Sequence, residues 1–233
     1  MVELKSIRIK IQNLLKRELV LVWFFSILLS FSFIFLQNKG RLPLGAGDFL
    51  FWTILTLLVA LYRPRWVFFL FVAAVPLENI ILSGDFLPFQ IRPYQFFALI
   101  LILAVGVLFF FRRLKFGVLK PNWVDWTIFS LVPVSFLALF SAPDKALVLK
   151  NNLVLISFII LYYLTRNFVR SRQDFLKSAF FLIGSYIAVV TFGFYQVFAE
   201  KLGLESFEVM FGRPNSTFTE PDWQGIYLVF MLA

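Results

Sequence analysis

From Leu19 to Leu36 the chain runs eighteen residues without a charged side chain. Hydrocarbon offers no water to the backbone, so such a segment lies in lipid only as a helix or within a closed barrel. Its apolar residues are continuous and do not alternate with polar ones, which selects helix. As a helix it reaches about 27 Å, against a hydrocarbon core of about 30 Å. Tyr94 to Phe111 repeats the pattern. Of the 233 residues, 61% are hydrophobic and 15% charged; soluble domains carry about 25% charged residues. The class is a polytopic membrane protein with an all-α transmembrane bundle.

The spans follow from the apolar runs. After Leu19–Leu36, a second covers Asp48 to Tyr62, and a third runs from Trp66 to Pro76 or Leu82. The third is marginal, because Pro76 and Glu78 shorten it toward a re-entrant hairpin. A fourth covers Tyr94–Phe111 and a fifth Trp123–Phe140, with Pro133 as a kink. The sixth opens at Ser141-Ala-Pro-Asp144 and ends near Thr165. The seventh follows Ser171-Arg-Gln-Asp174 and runs to Phe198. Both openings have capping-box spacing. An eighth helix begins near Glu220, but Trp223–Ala233 reaches only about 17 Å. The expectation is seven complete crossings plus a truncated eighth, in a chain that is the N-terminal part of a longer one. Residues 1–18 form a separate basic amphipathic segment, with Leu4, Ile7, Ile11, Leu14 and Leu15 on one face. Residues 19–233 form the membrane domain.

Charge orients the bundle. Residues 1–18, 63–65, 112–120 and 166–177 hold 15 of the 22 Lys and Arg residues, and the alternate loops hold 7. Positive residues favour the cytoplasmic side, so the N-terminus is expected inside. The net charge of +9 then reflects loops facing anionic lipid, with no call for nucleic acid. The chain has no Cys and no His, which removes thiolate chemistry and the commonest general base and metal ligand. No metal or cofactor is expected.

Polar chemistry gathers in Phe211-Gly-Arg-Pro-Asn-Ser-Thr-Phe-Thr-Glu-Pro-Asp-Trp-Gln-Gly225, on the outer side. Thr219 and Asp222 have capping-box spacing, and Pro221 falls in the first helical turn. Arg213 lies just upstream of that helix N-terminus. It has two readings: a bidentate clamp on phosphate or carboxylate, or an interfacial arginine among lipid head groups. Glu220 and Asp222 are candidates for a general base or for orienting Arg213, and equally are acids that suit a helix's first turn. Arg92, Lys145 and Lys150 either join an anion site or snorkel at the interface. Gly106, Gly184, Gly193 and Gly225 read as close-packing points between helices. Asn215-Ser-Thr217 matches a short glycosylation acceptor.

Gly212–Gly225 resembles the signature of the bacterial O-antigen ligase and polymerase superfamily. There an arginine precedes small residues, a Phe, an Asn/Glu-Pro-Asn/Asp step and a Gly or Ala entering a membrane helix. Arg213, Phe218, Glu220, Pro221, Asp222 and Gly225 fill those places. Pro76-Leu-Glu78 and Ile91-Arg-Pro-Tyr-Gln95 are similar to that family's third and fourth span region. Many members read Asn-Pro-Asn where this chain reads Glu-Pro-Asp. The resemblance implies a metal-independent glycosyltransferase at the periplasmic face of the bacterial inner membrane. Its partner would be a glycan on an undecaprenyl-diphosphate carrier, with Arg213 on the diphosphate. A further outer loop carrying an arginine and a histidine would lie beyond this chain, so the chain alone is expected to be inactive. The other class considered is a transporter or flippase of an anionic lipid or solute. The near absence of charge inside the spans speaks against it, since transporters carry polar or broken helices at the midplane. The topology predicts that reporters fused after Lys115 and after Lys201 report cytoplasm and periplasm respectively; both on one side would remove it.

Overall fold

The computed structural model of the protein describes residues 2–87, 90–114, 119–210 and 212–232, with the side chains of 2–17, 150, 153, 154, 157 and 200 left out. The described residues form eight helices: α1 (Val2–Asn38), α2 (Ala46–Tyr62), α3 (Pro64–Ala74), α4 (Pro93–Phe110), α5 (Trp123–Ser141), α6 (Lys145–Phe168), α7 (Arg172–Lys201) and α8 (Pro221–Leu232). Four stretches are long and apolar enough to cross a membrane: Glu18–Asn38, Pro93–Phe110, Trp123–Ser141 and Arg172–Ala199. The chain is thus an all-helical protein of multi-pass membrane character.

Local chemistry sets the helix ends. Proline opens α3, α4 and α8, where a missing N–H costs nothing. Asn122 Oδ1 accepts from Asp125 N–H at 2.9 Å and Asp125 Oδ2 accepts from Asn122 N–H at 2.6 Å, a reciprocal cap on α5. Ser171 and Asp174 make the expected reciprocal cap on α7. Two expectations shift. α6 is capped by Asp144 itself, which accepts from Leu147 N–H at 3.0 Å, while Ser141 ends α5. α1 runs unbroken from Val2 to Asn38, through both the basic opening and the first apolar run.

α3 is the buried centre. Its Val67, Phe68, Ala73 and Ala74 are buried, and it packs on α4, α7 and α2. Phe69 stacks on Phe181 of α7 at 5.3 Å, and Phe68 on Phe168 of α6 at 5.1 Å. α3 has 11 residues, about 17 Å of helix, and ends at Ala74 ahead of Pro76. It does not extend to Leu82; residues 75–83 fold back as a loop between α3 and α4.

α1 lies along α7. The two meet at Gly184, where an added Cβ would stand 2.7 Å from Ser26 Cβ and 2.9 Å from the Trp23 carbonyl. The Ser26 hydroxyl donates to the Phe181 carbonyl at 2.5 Å. At Gly193 an added Cβ would stand 2.7 Å from Gln224 Nε2 of α8, the far end of a side chain and not backbone. Gly106 and Gly225 differ from expectation: among the described residues nothing stands within 4 Å of a Cβ there, so neither packs against a described neighbour.

At the end where α3 and α7 begin, ion pairs join the helices. Arg65 pairs with Asp174 at 3.5 Å and Lys177 with Glu18 at 3.0 Å. Arg166 pairs with the fully buried Asp125, which also accepts from the Tyr162 hydroxyl at 3.0 Å. Gly184→Ala should lower the thermal midpoint of the detergent-solubilised protein by an overpacking cost of about 1–3 kcal/mol. Gly106→Ala, which meets open space, should leave it unchanged or slightly raised.

Candidate functional site at the open end of the bundle

Sequence order alone makes residues 202–220 a polar loop, and the structure ties that loop down. Gln196 of α7 is fully buried and holds it with both ends of its amide. Its Oε1 accepts from Ser216 N–H at 2.6 Å. Its Nε2 donates to the Phe207 carbonyl at 3.2 Å and to Asn215 Oδ1 at 3.3 Å. Ser216, in the left-handed region at φ 49°, donates its hydroxyl to the Val189 carbonyl at 2.6 Å. Thr217 Oγ1 donates to the Pro76 carbonyl at 2.6 Å, and Asn79 N–H donates to the Thr217 carbonyl at 2.7 Å. Asn215 donates its side-chain amide to the Phe218 carbonyl and is fully buried, so it is closed to glycosylation.

This tied segment walls a cavity of about 400 Å³. Gln37 and Asn38 at the end of α1, and Gly40 in the turn after it, form another part of the wall. Glu205, Glu208 and Asn79 supply further polar groups, and Phe192 and Phe207 supply two rings. Glu208 Oε2 accepts from Gly212 N–H at 3.1 Å, while Glu208 Oε1 and Gln37 Oε1 have no protein partner. The cavity is thus lined by amides, two glutamates and two aromatic rings.

Arg213 is at this end of the bundle but is turned away from the cavity. Its Nη2 donates to Asp222 Oδ1 at 2.7 Å, and its Nη1 lies 3.9 Å from Met210 Sδ. Its side chain is 54% exposed and that of Asp222 75%. The nearest strong acceptor is the carboxylate in the first turn of α8, and the guanidinium follows it across the surface. An exposed pair of this kind contributes about 0–1 kcal/mol, so a better anion can displace it. Asp222 is therefore held by a basic neighbour, and its carboxylate does not close the capping box with Thr219. Glu220 is exposed just before α8, where its carbonyl accepts the Trp223 N–H at 3.2 Å.

The remaining cations are placed separately. Arg92 precedes α4 and pairs with Glu78 at 2.7 Å, leaving Glu78 Oε2 buried without a partner. Lys145 is exposed at the start of α6, a helix that packs on α5 and lightly on α3. Lys150 lies one turn along α6, its side chain outside those described. None of Arg92, Lys145 and Arg213 lines the cavity.

Sequence reasoning missed Gln196, Gln37 and Asn79. The available signal was Gln196, an amide inside an otherwise apolar helix, which hydrocarbon tolerates only with partners. No protein family, curated protein or solved structure matches this chain in comparison. Gln196→Leu strands the Ser216 N–H and the Phe207 carbonyl, at about 1–3 kcal/mol for each unsatisfied group. The expected result is protease cleavage within 202–220 and a lower thermal midpoint; a loop as resistant as the parent's would show that Gln196 does not hold it.

Proposed function

We propose that this chain belongs to a membrane glycosyltransferase of the O-antigen ligase or polymerase type. It would cross the bacterial inner membrane seven times from a cytoplasmic N-terminus. It would take glycan from an undecaprenyl-diphosphate carrier at the periplasmic face. The observation that carries the reading is the cavity beside the 212–220 segment, where Glu205, Glu208, Gln37 and Asn79 stand with the rings of Phe192 and Phe207. A sugar has hydroxyl groups at its edge and apolar C–H faces, and a wall of amides, carboxylates and rings suits both.

In such a transfer an acceptor hydroxyl oxygen attacks the anomeric carbon. The bond from that carbon to the carrier's phosphate oxygen breaks, and the diphosphate leaves with the electron pair. The hydroxyl proton passes to a carboxylate, with Glu220 and Asp222 as candidates beside Arg213. Arg213 is exposed and held only by Asp222, so it can exchange that carboxylate for the diphosphate and stabilise the charge that develops there. Arg92 is neutralised by Glu78 and serves better to position residues 76–79 than to bind substrate.

The test is transfer of undecaprenyl-diphosphate-linked glycan by the full-length natural protein. Arg213→Lys keeps the charge but loses the planar fork, so activity should fall about tenfold to a hundredfold, the loss of a charged hydrogen bond. Arg213→Ala should lose more, with normal membrane insertion. A lysine variant as active as the parent would reduce Arg213 to an interfacial charge and sink the assignment.

A further inference from the structure

α1 and α2 are consecutive in the chain yet barely touch, since α1 lies on α7 while α2 lies on α4 and α3. Between them is an apolar gap of about 340 Å³. Leu29, Phe33 and Leu36 line it from α1, and Phe49, Trp52 and Thr56 from α2. Leu42 and Leu44 of the connecting turn close its end, and the Leu44 N–H holds that turn to the Leu82 carbonyl at 2.9 Å. Ser32 also lines the gap, but its hydroxyl turns back to the Leu28 carbonyl at 2.7 Å and makes no demand on an occupant. Leu36 is 37% exposed and Trp52 49% exposed although both line the gap, so it opens sideways between the helices. Glu18–Asn38 of α1 is a membrane-crossing stretch by length and composition, so this opening faces lipid tails.

Charged residues of both signs flank the lining residues along the chain. Lys39 and Arg41 stand in the turn joining α1 to α2, and Asp48 stands in the first turn of α2. Asp85 is next to Phe86, whose ring packs on Phe49 at 5.5 Å. Among the described residues, none of these four joins an ion pair. Lys39 lies only over the Phe35 ring, at 6.0 Å. Unpaired charges of both signs beside an apolar, laterally open gap suit one kind of molecule. We propose that the gap holds an acyl chain of a zwitterionic phospholipid, its phosphate at Lys39 and Arg41 and its amine at Asp48. A head group with negative charge alone would set that charge against Asp48 and Asp85 as well. Acyl methylenes replace the contacts that facing helices would otherwise make, which keeps α1 and α2 apart.

The full-length protein, purified in detergent and exchanged into micelles holding phosphatidylethanolamine and phosphatidylglycerol in equal amounts, is weighed by native mass spectrometry. The expected result is one phosphatidylethanolamine per chain, retained several-fold over phosphatidylglycerol. Lys39→Gln with Arg41→Gln should erase that preference, and Thr56→Trp, which fills the gap, should abolish retention. To separate loss of the lipid from loss of the fold, Ser32→Cys in a cysteine-free background is labelled with a bimane in phosphatidylglycerol vesicles. Acyl-doxyl phosphatidylethanolamine should quench it along a saturating curve at low mole fraction, whereas Leu58→Cys, on an exposed face of α2, should respond in proportion to bulk lipid. No retained lipid, equal retention of the two phospholipids, a retained polyprenyl phosphate, or the same proportional quenching at both positions would overturn the proposal.

Discussion

A non-helical segment survives against membrane helices only if its backbone groups find partners other than water. The amide of Gln196 supplies them for the 207–216 segment. One side chain on α7 accepts from Ser216 N–H and donates to both the Phe207 carbonyl and Asn215. Thr217 then fastens the same segment to Pro76, and Asn79 returns a bond to Thr217. The loop before α8 and the loop after α3 are thus one hydrogen-bonded unit, though they are far apart in sequence. The cavity, the position of Arg213 and the entry into α8 all depend on that unit.

The two ends of the bundle are built differently. At the end where α3 and α7 begin, carboxylates and cations are matched: Arg65 with Asp174, Lys177 with Glu18, Arg166 with Asp125. Asp125 is fully buried, so its partners are needed to cover the cost of taking a charge from water. At the opposite end Glu208 and Glu78 each keep an oxygen without a protein partner, and the paired groups Arg213 and Asp222 are solvent-exposed. One end is closed by matched charge; the other keeps buried carboxylate oxygens that no protein donor satisfies.

Much of the scaffold was legible in the sequence because it is local. Unbroken apolar runs gave the long helices, and Ser171 with Asp174 gave the start of α7. Gly184 was legible as a packing point because a missing side chain has few other uses in a span. The misses share a cause, which is competition between neighbours that sequence does not rank. Ser141 and Asp144 both suit a cap, and Asp144 won because α5 uses Ser141 as its last residue. Asp222 suited a cap as well, but Arg213 reached it first. Gly106 and Gly225 meet no neighbour, and spacing cannot show which way a helix face turns. The cavity was beyond reach because its walls come from residues 34–40, 79–80, 192 and 205–217, gathered only by the packing of α1 on α7.

The short α3 alters the shape of the water boundary. α3 and α7 begin level, since Arg65 meets Asp174, but α3 stops after about 17 Å while α7 continues to about 45 Å. The polar segment above α3 is fastened to α7 at Val189, about 18 Å short of that helix's end. Hydrogen-bonded backbone and the Glu78 and Glu208 carboxylates take the place of apolar groups at that depth. The low-dielectric slab is therefore thinner over α3 than around the protein's rim. A charge arriving there from the aqueous side keeps part of its hydration at a level where its lipid neighbours would already have lost theirs.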